Sequence, residues 1–390
     1  MEEMVPEIRF KGFEGPWGKR QIVDVAERLD NLRIPVSENM RKKGIVPYYG
    51  ANGIQDYVEG YTHDGENVLV AEDGANDLKN YPVRCVKGKI WVNNHAHVLQ
   101  GKPNIANNQF LALAIHQSDI ESLLVGGGRA KLNAEVLMKL ETEFPVFKEQ
   151  IIIGECFILF DTLIALTQQK LDQLKIFKKA CLEKMFPKEG ETVPEIRFKG
   201  FEGPWEWKKL GEIADIVGGG TPSTSIPEYW SGNISWYSPA EIGNKVFVSE
   251  SQRKITKAGY NHCSATILPP GTLLFTSRAG IGKTAILEKE GCTNQGFQSI
   301  IPHKEQLDSY FIYSRTAELK QYGETVGAGS TFVEVSGKQM ADMDILIPAI
   351  LEQRVIGGYF RNIDNLISLI QQKLDKLKSL KKALLDKMFI

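Results

Sequence analysis

Three short stretches of this sequence carry residue types that could do chemistry. Gly280 to Thr284 reads GIGKT, like the end of a loop whose backbone N–H groups cradle phosphates. Such a loop needs a glycine five positions before Gly282, where Ser277 stands, and a helix after it, where Thr284 to Leu287 reads as a strand. Nucleotide binding is therefore not expected there. Ile267 to Gly271 reads ILPPG. A methyltransferase that grips an extruded adenine would place Asn or Asp before the two prolines and an aromatic residue after them; Leu268 and Gly271 stand there instead, so the stretch reads as a strand and a turn. His95 and His97 share one strand face, where two imidazoles can chelate a metal, but no Cys or carboxylate constellation joins them and no metal is expected. The five cysteines, Cys85, Cys156, Cys181, Cys263 and Cys292, form no C-x-x-C pair, which argues against a zinc knuckle or a disulfide framework and suits a reducing cytoplasm.

The elements that position such residues must come from a chain of 390 residues, long enough for two or three domains with their own cores. Hydrophobic residues make up 42% and charged residues 24%, an ordinary globular balance. The formal net charge of −1 does not suggest a strongly basic nucleic-acid binder, so any polyanion contact must come from local clusters. The opening MEEMVPEIRF is acidic and lacks the apolar run of a signal peptide, so a cytoplasmic location is expected. Ile151 to Leu166 is the most apolar stretch, but it carries Glu155 and Asp161 and is short for a bilayer; it reads as buried in protein, with no membrane partner.

Internal repeats organise the chain. VPEIRFKGFEGPW occurs at Val5 to Trp17 and again, unchanged, at Val193 to Trp205, an offset of 188. LIALTQQKLDQLKIFKKACLEKMF, Leu163 to Phe186, matches LISLIQQKLDKLKSLKKALLDKMF, Leu366 to Phe389, at an offset of 203. Each half thus runs from a repeat through a long variable region into a helix. The helices carry a heptad seam of Ile363, Ile367, Ile370, Leu374, Leu377, Lys381, Leu384 and Met388 in one copy, and Phe160, Ile164, Thr167, Leu171, Leu174, Lys178, Cys181 and Met185 in the other. Two matching seams in one chain favour pairing with each other over pairing between chains, because their effective concentration is high. Ile164, Leu171, Leu174, Ile367, Ile370, Leu374, Leu377 and Leu384 are the expected pairing residues.

The variable regions read as mixed α/β. Strands are expected at Asn67–Ala71, Arg84–Val86, Lys89–Val92, Asn233–Tyr237, Ala265–Leu268, Leu273–Thr276 and Thr284–Leu287, and helices at Gln109–Leu123, Leu307–Tyr322 and Ser336–Asp342. The expected division is 1–148 and 188–347 for two globular domains, with helical segments at 149–187 and 348–390.

A repeated P-E-I-R-F-K-G-F and Trp, a variable region and a Q-Q-K-L-D-x-L-K helix together resemble the specificity subunit of type I restriction-modification systems, over essentially the whole chain. GGGTPSTSIPEYW (Gly218 to Trp230), TLLFTSRAGIGKTAI (Thr272 to Ile286), NQGF (Asn294 to Phe297) and GSTFVEVS (Gly329 to Ser336) look like one class of target-recognition domain. PYYGANGIQDYV (Pro47 to Val58) and KIWVNNHAHVL (Lys89 to Leu99) resemble another, so the halves should read different sequences. The resemblance implies two target-recognition domains related by a pseudo-two-fold axis and separated by an antiparallel coiled coil of two long helices. It implies a bipartite target in double-stranded DNA, two methyltransferase subunits as partners, and restriction subunits that join them. The chain itself would hold no cofactor; S-adenosylmethionine, ATP and magnesium would be used by those partners.

On that reading, donors and acceptors on loops are the candidate base readers. In the second domain they are Arg278, Lys283, Asn294 and Gln295, with Thr221, Ser223 and Thr224 for phosphates, while Tyr229, Trp230 and Trp236 read as core. In the first, Arg41, Lys42 and Lys43 would meet phosphates, Tyr49, Asn52, Asn93, Asn94 and His95 would read bases, and Arg129 and Lys131, after Gly126 to Gly128, are further phosphate candidates. Two rivals remain open: a coiled-coil protein adaptor without DNA specificity, and a nuclease or methyltransferase, which the missing motifs disfavour.

Overall fold

The computed structural model describes residues 5–126, 130–278, 280–328 and 334–389. The chain is mixed α/β and forms two compact units, residues 1–169 with 371–390, and residues 170–370.

In the first unit the strands are β1 (Gly18–Gln21), β2 (Ala26–Arg28), β3 (Lys43–Gly50), β4 (Gly53–Val58), β5 (Glu66–Ala71), β6 (Val83–Lys87), β7 (Trp91–Val92), β8 (Ala96–Gly101) and β9 (Glu141–Phe144). They make a sheet in the order β2-β8-β5-β6, a sheet β4-β3-β7 and a ribbon β1-β9. Strand β5, ENVLVA, is apolar on both faces and becomes the buried middle of its sheet, with Val68 and Val70 fully covered. The helix Asn108–Gln117 packs on this sheet, its first turn capped by the Asn107 side chain, which accepts from the Phe110 N–H at 3.1 Å.

The second unit repeats this plan with β10 (Glu206–Lys209), β11 (Ala214–Gly218), β12 (Trp230–Tyr237), β13 (Phe247–Val248), β14 (Arg253–Ile255), β15 (Leu273–Phe275), β16 (Thr284–Leu287), β17 (Cys292–Thr293), β18 (Gln298–Pro302) and β19 (Asp344–Ile347). The sheets are β11-β18-β15-β16-β13 and β14-β12-β17, with a ribbon β10-β19. The helix Ser309–Ser314 takes the place of Asn108–Gln117, capped by Asp308 through the N–H groups of Tyr310 and Phe311.

Two long helices, Phe147–Lys184 and Ile350–Met388, each contribute to both units. In the first unit Phe157 meets Phe389 and Asp161 meets Lys381; in the second, Lys178 meets Asp364 and Cys181 meets Tyr359, so within each unit the helix halves pack antiparallel. The expected seam is the covered one: Leu171, Ile370 and Leu374 are buried, and Ile164, Leu174, Ile367, Leu377 and Leu384 are half-buried. Lys178 and Lys381 break its apolar run as salt bridges, each 2.5 Å from its aspartate.

The repeated VPEIRFKGFEGPW packs identically in both units. Trp17 lies edge-on to Phe110 and Phe389 at 5.6 and 5.9 Å. Trp205 meets Phe311 and Phe186 at 5.8 Å each. The Ile8 N–H donates to the Lys387 carbonyl at 3.0 Å, as that of Ile196 does to Lys184 at 2.8 Å.

Four expectations need correction. The helix expected over Gln109–Leu123 ends at Gln117, where Ser118 turns extended, and Glu121–Leu123 forms a separate 3-10 turn. Ala265–Leu268 is not a strand; only Leu268 pairs, with Gly291, because Pro269 and Pro270 remove the next two backbone donors and Thr266 and Ile267 face solvent. Leu307–Tyr322 is broken at Arg315, whose buried guanidinium turns to the Leu346 carbonyl and to Glu318. The apolar stretch Ile151 to Leu166 is only partly buried: Ile153 and Phe157 are covered, whereas Leu159 and Leu166 are 59% and 57% exposed. By length and composition this helix could cross a membrane, although Glu155 and Asp161 interrupt its apolar stretch.

Candidate nucleic-acid interface

Asn93, Asn94 and His95 in the first domain and Asn294 and Gln295 in the second sit on one shared backbone frame. In the first domain β7 runs parallel to β3 and ends in Asn93-Asn94-His95. The Asn93 N–H donates to the Tyr49 carbonyl at 3.1 Å, and the Asn93 side-chain oxygen accepts from the His95 N–H at 2.8 Å, closing a tight turn. The His95 carbonyl accepts from the Glu72 N–H at 2.9 Å, and the Glu72 carbonyl from the Leu132 N–H at 2.7 Å. In the second domain β17 runs parallel to β12 and ends in Asn294-Gln295-Gly296. The Asn294 N–H donates to Tyr237 at 3.0 Å, the Gly296 N–H to the Asn294 side chain at 2.9 Å, the Ser277 N–H to Gly296 at 2.8 Å and the Val335 N–H to Ser277 at 3.0 Å. Four bonds recur in the same order although the sequences differ almost everywhere.

This frame sorts the candidates. Asn93 and Asn294 spend their side-chain oxygens on the turn itself, and Asn93 is 5% exposed. Asn94 and Gln295, the next residues, are exposed, and Thr221 donates to the Gln295 side-chain oxygen, which leaves the amide N–H groups of Gln295 directed elsewhere. Tyr49 is buried in the small core under the turn, and that burial pushes its phenol up; its contribution is the carbonyl that holds Asn93. Asn52 is exposed but braced, donating to Gly74 and accepting from the Asn76 N–H at 2.9 Å each. His95 holds Asp73 through Nδ1 at 2.5 Å.

The basic candidates divide similarly. Lys42 and Lys43 are exposed, but Arg41 lies 4.2 Å above the Tyr48 ring and donates to the Val36 carbonyl at 3.1 Å, so its guanidinium is engaged within the domain. Lys131 reaches Glu72 at 2.9 Å, and Arg129 lies outside the described residues. In the second domain Lys283 and Thr224 are exposed, Arg278 is half-buried, and the hydroxyls of Ser223 and Ser225 pair at 2.8 Å. Trp236 is buried and donates to the Gly220 carbonyl at 2.8 Å, holding the Gly-rich loop; Trp230 is half-buried under Arg253, 3.6 Å from its ring.

Beneath the first turn lies a charged network that sequence reasoning missed. His97, 1% exposed, makes bonds from Nδ1 to Asp30 at 2.7 Å and from Nε2 to the Leu132 carbonyl at 2.9 Å. Glu72 takes Arg33 at 2.7 Å and Lys131 at 2.9 Å. Burial alone would raise both carboxyls, but His97 and the Val98 N–H hold Asp30 below its ordinary value, and Lys131 and Arg33 hold Glu72 below its own. Both His97 nitrogens are thus occupied by protein, and among the described residues no group of three His, Cys, Asp or Glu side chains could hold a metal. At GIGKT, Gly280 and Gly282 take positive φ in a turn that leads straight into β16, a geometry unlike a phosphate-binding loop before a helix.

Comparison with known proteins agrees with this construction. The model of the type I restriction modification DNA specificity domain matches twice, over residues 14–176 and 202–379. A candidate type I restriction enzyme specificity subunit of Haemophilus influenzae is 30% identical over 378 residues, covering 93% of this chain and 91% of its own. The MjaIX specificity subunit of Methanocaldococcus jannaschii is 36% identical over 189 residues, 48% of this chain and 44% of its own. The crystal structure of a type I restriction-modification S subunit from M. genitalium shares the fold, with a TM-score of 0.71 at 15% identity and 99% coverage of both chains. The chain belongs to the type I restriction-modification DNA specificity family. Its role is that of a DNA-recognition subunit.

Proposed function

We propose that this chain reads a bipartite target in double-stranded DNA, one half-site per domain, and directs two methyltransferase subunits and the restriction subunits that join them. The observation that carries this reading is the shared turn frame: one scaffold, built twice, presents Asn94 in one domain and Gln295 in the other. Side-chain amides, guanidinium groups and carboxylates on a rigid turn are what base edges in the major groove require. Lys42, Lys43, Ser223 and Thr224 are the exposed groups suited to phosphates, and Lys283 is exposed for a base edge. The duplicated surface supports two copies of one partner, because Val5 and Ile8 are exposed in the first unit as Val193 and Ile196 are in the second. S-adenosylmethionine, ATP and magnesium belong to those partners on this reading, and the complex works in the cytoplasm.

The test is to exchange residues 206–347 for another target-recognition domain and map methylated adenines in cells that supply the methyltransferase partner. One half-site should change and the other stay, because contacts in separated half-sites add nearly independently. Simultaneous change of both half-sites would refute the two-reader reading. Methylation by the purified chain alone would refute its dependence on partners, and absence of site-specific DNA affinity in the complex would return the adaptor reading.

A further inference from the structure

The two turn frames carry opposite charges at one matched pair of positions. Immediately after Glu72, Asp73 bridges Lys131 across an antiparallel backbone pair; immediately after Ser277, Arg278 bridges Glu334 in the same way. Because the neighbouring bonds from Glu72 to His95 and Leu132 repeat as those from Ser277 to Gly296 and Val335, Asp73 and Arg278 occupy one position of the frame, and Lys131 and Glu334 the position facing it. Acid and base have changed places.

We propose that Asp73 is a specificity-determining residue of the first domain, the counterpart of Arg278, and that it accepts a hydrogen bond from an exocyclic amino group of a base, adenine N6 or cytosine N4. This rests on the reading that these turns face DNA. A carboxylate near phosphates is repelled, and at a base edge its use is to accept from an amino donor, whereas a guanidinium in the same place is suited to guanine. Asp73 keeps 22% of its side chain exposed and is oriented by His95 at 2.5 Å. Lys131, the counterpart of Glu334, turns its ammonium to Glu72 at 2.9 Å.

The experiment uses the full chain with its methyltransferase partner. Methylome mapping of Asp73→Ala should relax one position of one half-site about tenfold or more, and Arg278→Ala should relax a position of the other half-site. A duplex whose base at the Asp73-dependent position lacks its amino group should bind the wild type weaker by a similar factor and Asp73→Ala no weaker than the normal duplex; purine and pyrimidinone analogues separate adenine from cytosine. If Arg278→Ala changes its half-site and Asp73→Ala leaves the motif intact, or weakens all sequences alike, the Asp73 assignment is overturned. If neither variant changes a motif, the reading of the turns as DNA-facing fails instead. Should Asp73→Ala not fold, the double variant Arg278→Asp, Glu334→Lys tests the same position from the other domain: acquired dependence on an amino group in the second half-site supports the proposal, and its absence overturns it.

Discussion

Arg9 forms a two-bond ion pair with Glu149, Nε to Oε1 at 2.7 Å and Nη2 to Oε2 at 2.8 Å, across 140 residues of chain. Arg197 and Glu352 repeat it at 2.7 Å for both bonds. Each glutamate sits fully buried in the first turn of a long helix, where its charge also meets the positive end of the helix dipole. Arg9→Ala or Arg197→Ala should therefore cost about 3–5 kcal/mol, since each strands a buried carboxylate. Urea unfolding of the single variants, and of Arg9→Ala with Glu149→Leu, checks this. The double variant should recover part of the loss; equal stability of Arg9→Ala and wild type would show that the pair contributes nothing.

This pair also marks where sequence reasoning stopped. The heptad seam, the repeat and most strands were legible because periodicity and turn residues are local signals. Glu149, Gln150 and Gly154 were not singled out, although Glu352, Gln353 and Gly357 follow at the same offset of 203 as the helices. Their role is tertiary: Gln150 accepts from the Asn107 N–H at 2.9 Å, as Gln353 does from Asp308 at 3.0 Å, and a Cβ on Gly154 or Gly357 would lie 2.9 or 2.5 Å from those capping side chains. The shared turn frame was hidden for a different reason. It is held by backbone bonds, so Val-Asn-Asn-His and Thr-Asn-Gln-Gly build the same turn with little in common but one asparagine.

The two seam lysines should differ in worth. Lys178 and Asp364 are 24% and 11% exposed, and the Tyr310 hydroxyl also donates to Asp364 at 2.9 Å. Lys381 is equally covered, but its partner Asp161 is 60% exposed. Lys178→Ala should cost more than about 1 kcal/mol, and Lys381→Ala less than that, because the exposed pair is screened by water. Thermal unfolding of both variants with rising salt measures it. A larger loss for Lys381→Ala would reverse the ranking of burial over distance.

The network under the first turn predicts acid lability. Asp30 and Glu72 are depressed below ordinary values of 3.8 and 4.5 in the folded chain, so their contribution is present above those values and lost as pH falls through the lower folded ones. Stability should fall below about pH 4.5 more steeply in the wild type than in Glu72→Gln, which lacks one of the two titrations. Melting temperatures from pH 6 to about pH 3 for both proteins test this. Parallel curves would mean that Glu72 keeps its ordinary acidity.

The long helices also allow the spacing of the target to be tested. Phe147–Lys184 has 38 residues, and at about 1.5 Å per residue it is about 57 Å long. Adding four residues after Thr167 and four at the matched place after Ile370 lengthens each helix by about 6 Å and keeps the copies equal, at the cost of a local stutter in the seam. On the reading that helix length sets the distance between half-sites, the unread gap should grow by at most about two base pairs while both half-sites stay the same. The original spacing should then be rejected, because each added base pair also rotates the second half-site about the DNA axis while every base-reading side chain is intact. Methylome mapping of the insertion variant reads both quantities at once, and an active protein that keeps the original gap would show that helix length does not set it.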